Sequence, residues 1–224
     1  METFIYFTTP LFYVCIVYSL WVVYISFQKI KWAFPIVLIW TSLQLLVSST
    51  GFYEETRAIP PRFILLIGPN IIAIMFLFFN KKGKEILNQI DVDQLFWIHP
   101  VRIVVEFCLW GLYLQHLIPQ LMTFEGTNLD ILIGISSLIV IYLLKINKIL
   151  SAKTLKIWNY IGLIFLANIV LTALLAAPTA FQQIAFEQAN TGVFISPFTL
   201  LPGFIVPLVL LSHLLAIKKL SHIA

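Results

Sequence analysis

Charge is what this sequence is short of. Asp, Glu, Lys and Arg make up 11% of its 224 residues, against roughly 25% in a soluble domain with a wet surface to cover. Hydrophobic residues reach 60%, and mean hydropathy is +0.97. Such a chain cannot cover itself with polar groups, so most of its surface must face lipid, and the bilayer is its first expected partner. Cysteine is nearly absent: Cys15 and Cys108 both sit in apolar runs. Placed apart in lipid, they predict neither a disulfide nor a thiolate metal site. The period-two alternation of barrel strands is missing too, which leaves helices as the spanning element. No basic residue precedes the first apolar run and no small-residue cleavage site follows it, so it reads as a span rather than a signal segment.

Long apolar runs, by contrast, are plentiful. A helix needs about 20 apolar residues to cross the hydrocarbon. Seven stretches approach that length: 4–27, 33–50, 61–79, 100–119, 129–146, 154–176 and 197–217. The expected fold is therefore an all-α membrane bundle of seven transmembrane helices, forming one domain over 1–224. All the lysines fall after spans one, three, five and seven: Lys29 and Lys31; Lys81, Lys82 and Lys84; Lys145, Lys148, Lys153 and Lys156; Lys218 and Lys219. The alternate connections hold only Arg57 and Arg62 as basic residues. Basic residues stay cytoplasmic, so the N-terminus is expected outside and the C-terminus inside, in the cell inner (plasma) membrane. The net charge of +4 follows from these lysines and gives no reason to expect nucleic acid.

Two further segments, 84–97 and 179–190, read as amphipathic helices on the bilayer surface. The first groups Ile86, Ile90 and Trp97; the second groups Phe181, Ile184, Ala185 and Gln188. Phe63-Ile64-Leu65-Leu66-Ile67-Gly68 parallels Phe198-Thr199-Leu200-Leu201-Pro202-Gly203. That match suggests a 3+1+3 parallel repeat, with span four as the odd helix.

Span four carries the chemistry. His99, Arg102, Glu106, Trp110, Tyr113, His116 and Gln120 recur at steps of three and four, one stripe of a helix. Val101, Val104, Val105, Cys108, Leu109 and Leu112 form the other face, expected against lipid. A polar stripe through the membrane must face the bundle interior or a wet cavity. Arg102 and Glu106, one turn apart, are expected to pair. Gln44, Asn70 and Asn168 offer amides at mid-depth, and Asn70 adjoins Pro69, whose ring frees a backbone carbonyl. Glu125, Asp130 and Glu187, with His116, would form an outer mouth, and Asn128 would cap span five. No HxxxH, HExxH or CxxC spacing calls for a metal, and no cofactor is expected.

The seven-helix plan with its N-terminus outside is similar to that of the SWEET sugar transporters, whose repeated Pro-Gln signature is reduced here to Pro119-Gln120. It is similar in plan to microbial rhodopsins, but span seven has no lysine before Lys218. It is similar to alkaline ceramidases as well, but His213 stands alone where they carry paired histidines. A bis-His haem would need His99 and His213 at one depth. None of these fixes a family. The function expected from the residues is binding or transport of a small solute or ion through a polar cavity lined by span four. The alternatives are a membrane-embedded enzyme acting on a lipid-like substrate near His116 at the outer surface, or a sensor or assembly partner without chemistry. A homo-oligomer burying the stripe against a second copy is the other packing.

Overall fold

The structure is a computed structural model that describes residues 2–144 and 150–221, with side chains from residue 7 onward. Lys145 and Lys148 lie outside the described residues. Among those described there are helices and no strands. A helix overlaps each of the seven apolar stretches, over part of its length in some: α1 (Glu2–Ser26), α2 (Ala33–Ser49), α3 (Ile64–Phe79), α6 (Val101–Leu114), α7 (Asp130–Tyr142), α8 (Ala152–Leu175) and α9 (Val206–Leu220). Between α3 and α6 lie the short helices α4 (Lys81–Gln89) and α5 (Val92–Leu95). Among the described residues, four helical segments are long and apolar enough to cross a membrane: Phe7–Ser26, Val92–Leu114, Ala152–Leu175 and Leu201–Leu220. Counting α3 with α4 as one broken span makes five, while α2 and α7 are apolar but shorter.

α6 lies mostly inside the bundle, and its exposed edge is not the one expected. It packs against α1 on one side and α7 on another. Of the residues expected to meet lipid, Val101, Val105, Cys108, Leu109 and Leu112 are buried and Val104 is half-buried, while Phe107 is the strongly exposed residue of this helix. Close approach at two glycines explains this. A Cβ on Gly111 would lie 2.5 Å from Thr8 Oγ1 of α1, and one on Gly134 of α7 would lie 2.8 Å from Ile103 Cγ1. Small residues let membrane helices touch backbone to backbone. Cys15 and Cys108 are both buried free thiols, on the two helices of the α1–α6 contact, and Cys108 Sγ lies 3.9 Å from Thr8 O of α1.

The segment 84–97 does hold an amphipathic helix, shifted towards its start. Asn80 caps α4 by accepting from Lys82 N, the helix turns 93° from α3, and it buries Leu87 with Ile90 just beyond. The segment 179–190 departs from expectation. It is irregular, Ala185 adopts φ 57°, and Phe181 and Phe186 are exposed. A β-carbon residue in the left-handed region interrupts any helix. The two stretches aligned as a repeat also differ locally. Ile64 to Gly68 lie in regular helix, whereas Leu201–Ile205 form a π-helical turn leading into α9.

That turn has a covalent cause. Pro207 lacks the N–H that would bond the carbonyl four residues back, at Gly203. Gly203 O is taken instead by Asn70 Nδ2 of α3 at 2.9 Å and Trp40 Nε1 of α2 at 3.1 Å. Three helices thus meet on one carbonyl, with Leu66 packed where a Gly203 side chain would stand.

Candidate functional site

The polar stripe divides in two because α6 ends at Leu114. His116 takes φ 61° and turns the chain away, so His116 and Gln120 leave the helix and are exposed. The first half of the stripe, His99, Arg102 and Glu106, is buried, together with Asn128, Asp130, Asn159, Ser212 and His213.

Arg102 pairs with Asp130, not with the expected Glu106. Its Nε lies 3.0 Å from Asp130 Oδ2, an ionic contact without the alignment of a hydrogen bond. A long contact of 3.5 Å joins its Nη2 to Gly162 O of α8. Asp130, expected at an outer mouth, is therefore interior. The reason is Gly134, one turn along α7, which brings the start of that helix onto α6 beside Arg102.

Glu106 is held from the loop before α7. Asn128 donates from Nδ2 to Glu106 Oε1 at 2.5 Å and to Met122 O at 3.1 Å, while its Oδ1 accepts from Asp130 N. One amide thus fixes both the carboxylate and the start of α7. Both carboxylates lie within electrostatic reach of the guanidinium. Glu106 Oε2 and Asp130 Oδ1 are buried without a partner.

Two histidines complete the cluster. The rings of His99 and His213 lie 4.3 Å apart between centroids, tilted by 35°, with Phe96 and Trp158 against them. His213 Nδ1 sits 2.9 Å from Asn159 Oδ1, and Asn159 Nδ2 donates to Leu155 O. That second bond settles the amide orientation, so Nδ1 carries the proton and Nε2 is left as an unpartnered acceptor. His99 Nε2 lies 3.0 Å from Ser212 Oγ. Gly162 makes room: a Cβ there would fall 2.3 Å from His213 Cε1. No group of three metal-ligating side chains occurs among the described residues.

The second half of the stripe is a separate group. Trp110 Nε1 donates to Glu125 Oε1 at 3.0 Å, and His116 Nδ1 lies 3.5 Å from Gln188 Oε1. Tyr113, Gln120 and Glu187 line a cleft of about 290 Å³ there. The amides serve different ends. Asn70 holds Gly203 O, exposed Asn168 donates to Thr127 O at 3.0 Å, and buried Gln44 accepts from Tyr53 Oη at 2.5 Å. Burial pushes the Tyr53 phenol, in the loop after α2, above its usual range, so it remains a donor. Asn159, Ser212 and His213 were missed as site residues. His213 and Ser212 stand on another helix, and no spacing within one sequence reveals which helices meet.

Beyond these groups lies a cavity of about 410 Å³ between α3 and α8, floored by the π-helical turn and α9. Its wall is apolar apart from Asn190.

Fold and site together define a helical protein with several helices apolar enough to cross a membrane and a buried cluster of ionisable side chains between them. The chain belongs to the family described as Domain of unknown function (DUF8737), whose model matches residues 60–221. No curated protein and no solved structure matches it. The matched stretch contains the whole buried cluster and the whole lining of the apolar cavity.

Proposed function

We propose a seven-span inner-membrane protein, N-terminus outside and C-terminus cytoplasmic, that binds a small ion at the Arg102–Asp130–Glu106 centre and moves it across the bundle. The ion that suits the centre best is the proton. One observation carries the reading: two carboxylates are buried against one guanidinium, and each keeps an oxygen without a partner. In a medium of low dielectric an uncompensated charge is expensive, so the centre is neutral only when one more positive charge joins it. Asp130 is engaged by Arg102, and Asn128 occupies only Oε1 of Glu106. Glu106 Oε2 is therefore the place for an exchangeable proton, with His99 and His213 as neighbouring stations. Ionisable groups kept inside a membrane bundle mark such pathways. The outer cleft at Tyr113, Gln120 and Glu187 would be the entrance on the far side.

Infrared difference spectra of the protein in vesicles test this directly. A protonated carboxyl C=O band should appear in the wild type, persist in Glu125→Gln, and vanish in Glu106→Gln, which keeps the Asn128 bond. Proton flux into liposomes, read by a trapped pH dye, should fall with the same substitution. A wild type with no protonated carboxyl at any pH, or an unchanged band in Glu106→Gln, overturns the reading.

A further inference from the structure

We propose that the apolar cavity between α3 and α8 is a binding site for one chain of a bilayer lipid whose head group donates a hydrogen bond to Asn190 Oδ1. The cavity measures about 410 Å³. Along α8 its wall runs from Leu163 to Leu174, with Ala177 just beyond the helix end, about 17 Å of helix at 1.5 Å per residue. Ala167, Ala173 and Ala177 keep that wall shallow, and Pro202 and Pro207 stand opposite.

What separates this cavity from an ordinary groove filled by loose lipid is its one polar side chain. Asn190 is 1% exposed, its backbone N donates to Ala176 O at 2.8 Å, and its Nδ2 donates to Ala173 O at 3.0 Å. Those two bonds fix the side chain and identify which terminal atom is oxygen. Oδ1 has no partner. A buried acceptor left unmet is costly, and in hydrocarbon there is no water to meet it. The acceptor sits beside the last turn of α8, at one end of the cavity, while the rest of the wall is hydrocarbon as deep as Leu163. A polar end near a helix terminus and an apolar length running inward match one leaflet's worth of a single-chain amphiphile. The occupant's head must carry O–H or N–H, since Oδ1 only accepts.

The chain itself gains little by leaving bilayer hydrocarbon for an apolar cavity, so recognition falls to the head group and to shape. This gives the site a signature that surrounding lipid lacks. The test uses the full protein in phosphatidylcholine vesicles with a monoacylglycerol carrying a diazirine in its tail. Photolabelled residues are mapped by mass spectrometry. Labels should concentrate on α3, α8 and α9 residues of the cavity. Unlabelled monoacylglycerol should compete at least about fivefold better than its O-methylated ether, the ratio expected for one net hydrogen bond. Asn190→Leu should abolish that preference, and Ala167→Trp should displace the label by filling the cavity. Asn190 also ties its loop to α8, and the ether comparison on wild-type protein tests the proposal whether or not that variant folds. Labels spread evenly over the lipid-exposed faces of α1, α2 and α8 would mean surrounding lipid only. That result, or equal competition by the ether, overturns the proposal. Neither outcome touches the Glu106 proton, which is read by a different signal in a different part of the bundle.

Discussion

Arg102 is buried at 3% exposure, and the side chains around it are arranged to tolerate its charge. Removing one member of a buried pair strands the other, at roughly 3–5 kcal/mol. Arg102→Met should therefore be the most damaging single change in the cluster, and Arg102→Met with Asp130→Leu should recover part of the loss. Thermal unfolding in detergent, run on both singles and the double, checks the cycle. Glycines make a second residue-scale contrast. Gly162→Ala would push a Cβ to within 2.3 Å of the His213 ring, whereas Gly68→Ala meets only Ile64 Cγ2 at 3.7 Å. The first should cost about 1–3 kcal/mol by overpacking. The second should be neutral or slightly stabilising, by up to ~1 kcal/mol, because alanine favours helix. Equal effects in the same unfolding assay would show that His213 does not pack on α8 as described. The sequence presents both as glycines in apolar spans and cannot separate them.

At the scale of elements, the Gly203 carbonyl joins three helices through two donors. Asn70→Ala and Trp40→Phe should each cost about 0.5–1 kcal/mol, since one donor still remains. The double variant should lose more than the sum, because the carbonyl freed by Pro207 then has no donor at all. An additive result would mean that a water or another group replaces them. Helix ends were the poorly legible part of these elements. The stripe of span four is read from spacing as continuous to Gln120, yet the helix stops at Leu114. The same spacing suggests a surface helix over 179–190, where the chain is irregular. In both places a non-glycine residue, His116 or Ala185, adopts positive φ. Such conformations are imposed by tertiary contacts and leave no composition signal.

For the whole molecule, the proposed seven-span arrangement predicts opposite sides for the two ends of α3. Glu55 and Lys84 are exposed, while the native thiols Cys15 and Cys108 are buried and should stay silent. In right-side-out vesicles, an impermeant maleimide should label Glu55→Cys and spare Lys84→Cys, with the reverse in inverted vesicles. Labelling of both from one side would make α3 and α4, which meet at 93°, a re-entrant element and reduce the number of crossings. The bend itself depends on Gly83, whose Cβ would lie 2.1 Å from Phe76 O.

The sequence by itself determined that the chain is helical, where its apolar helices run, and that Arg102 and Glu106 must be hidden from lipid. Those conclusions need only composition and period, because in hydrocarbon each helix satisfies its own backbone and must be apolar along most of its length. Pairing was decided by tertiary structure alone. Arg102 goes to Asp130 because Gly134 lets α7 approach, Glu106 goes to Asn128, and His99 packs on His213, for which Gly162 leaves space. The apolar cavity with Asn190 in its wall belongs to the same class of fact. Lipid-facing and helix-facing apolar residues look alike in one sequence, since oil and protein interior are equally poor solvents for charge. Which of them touch is settled only when the helices pack.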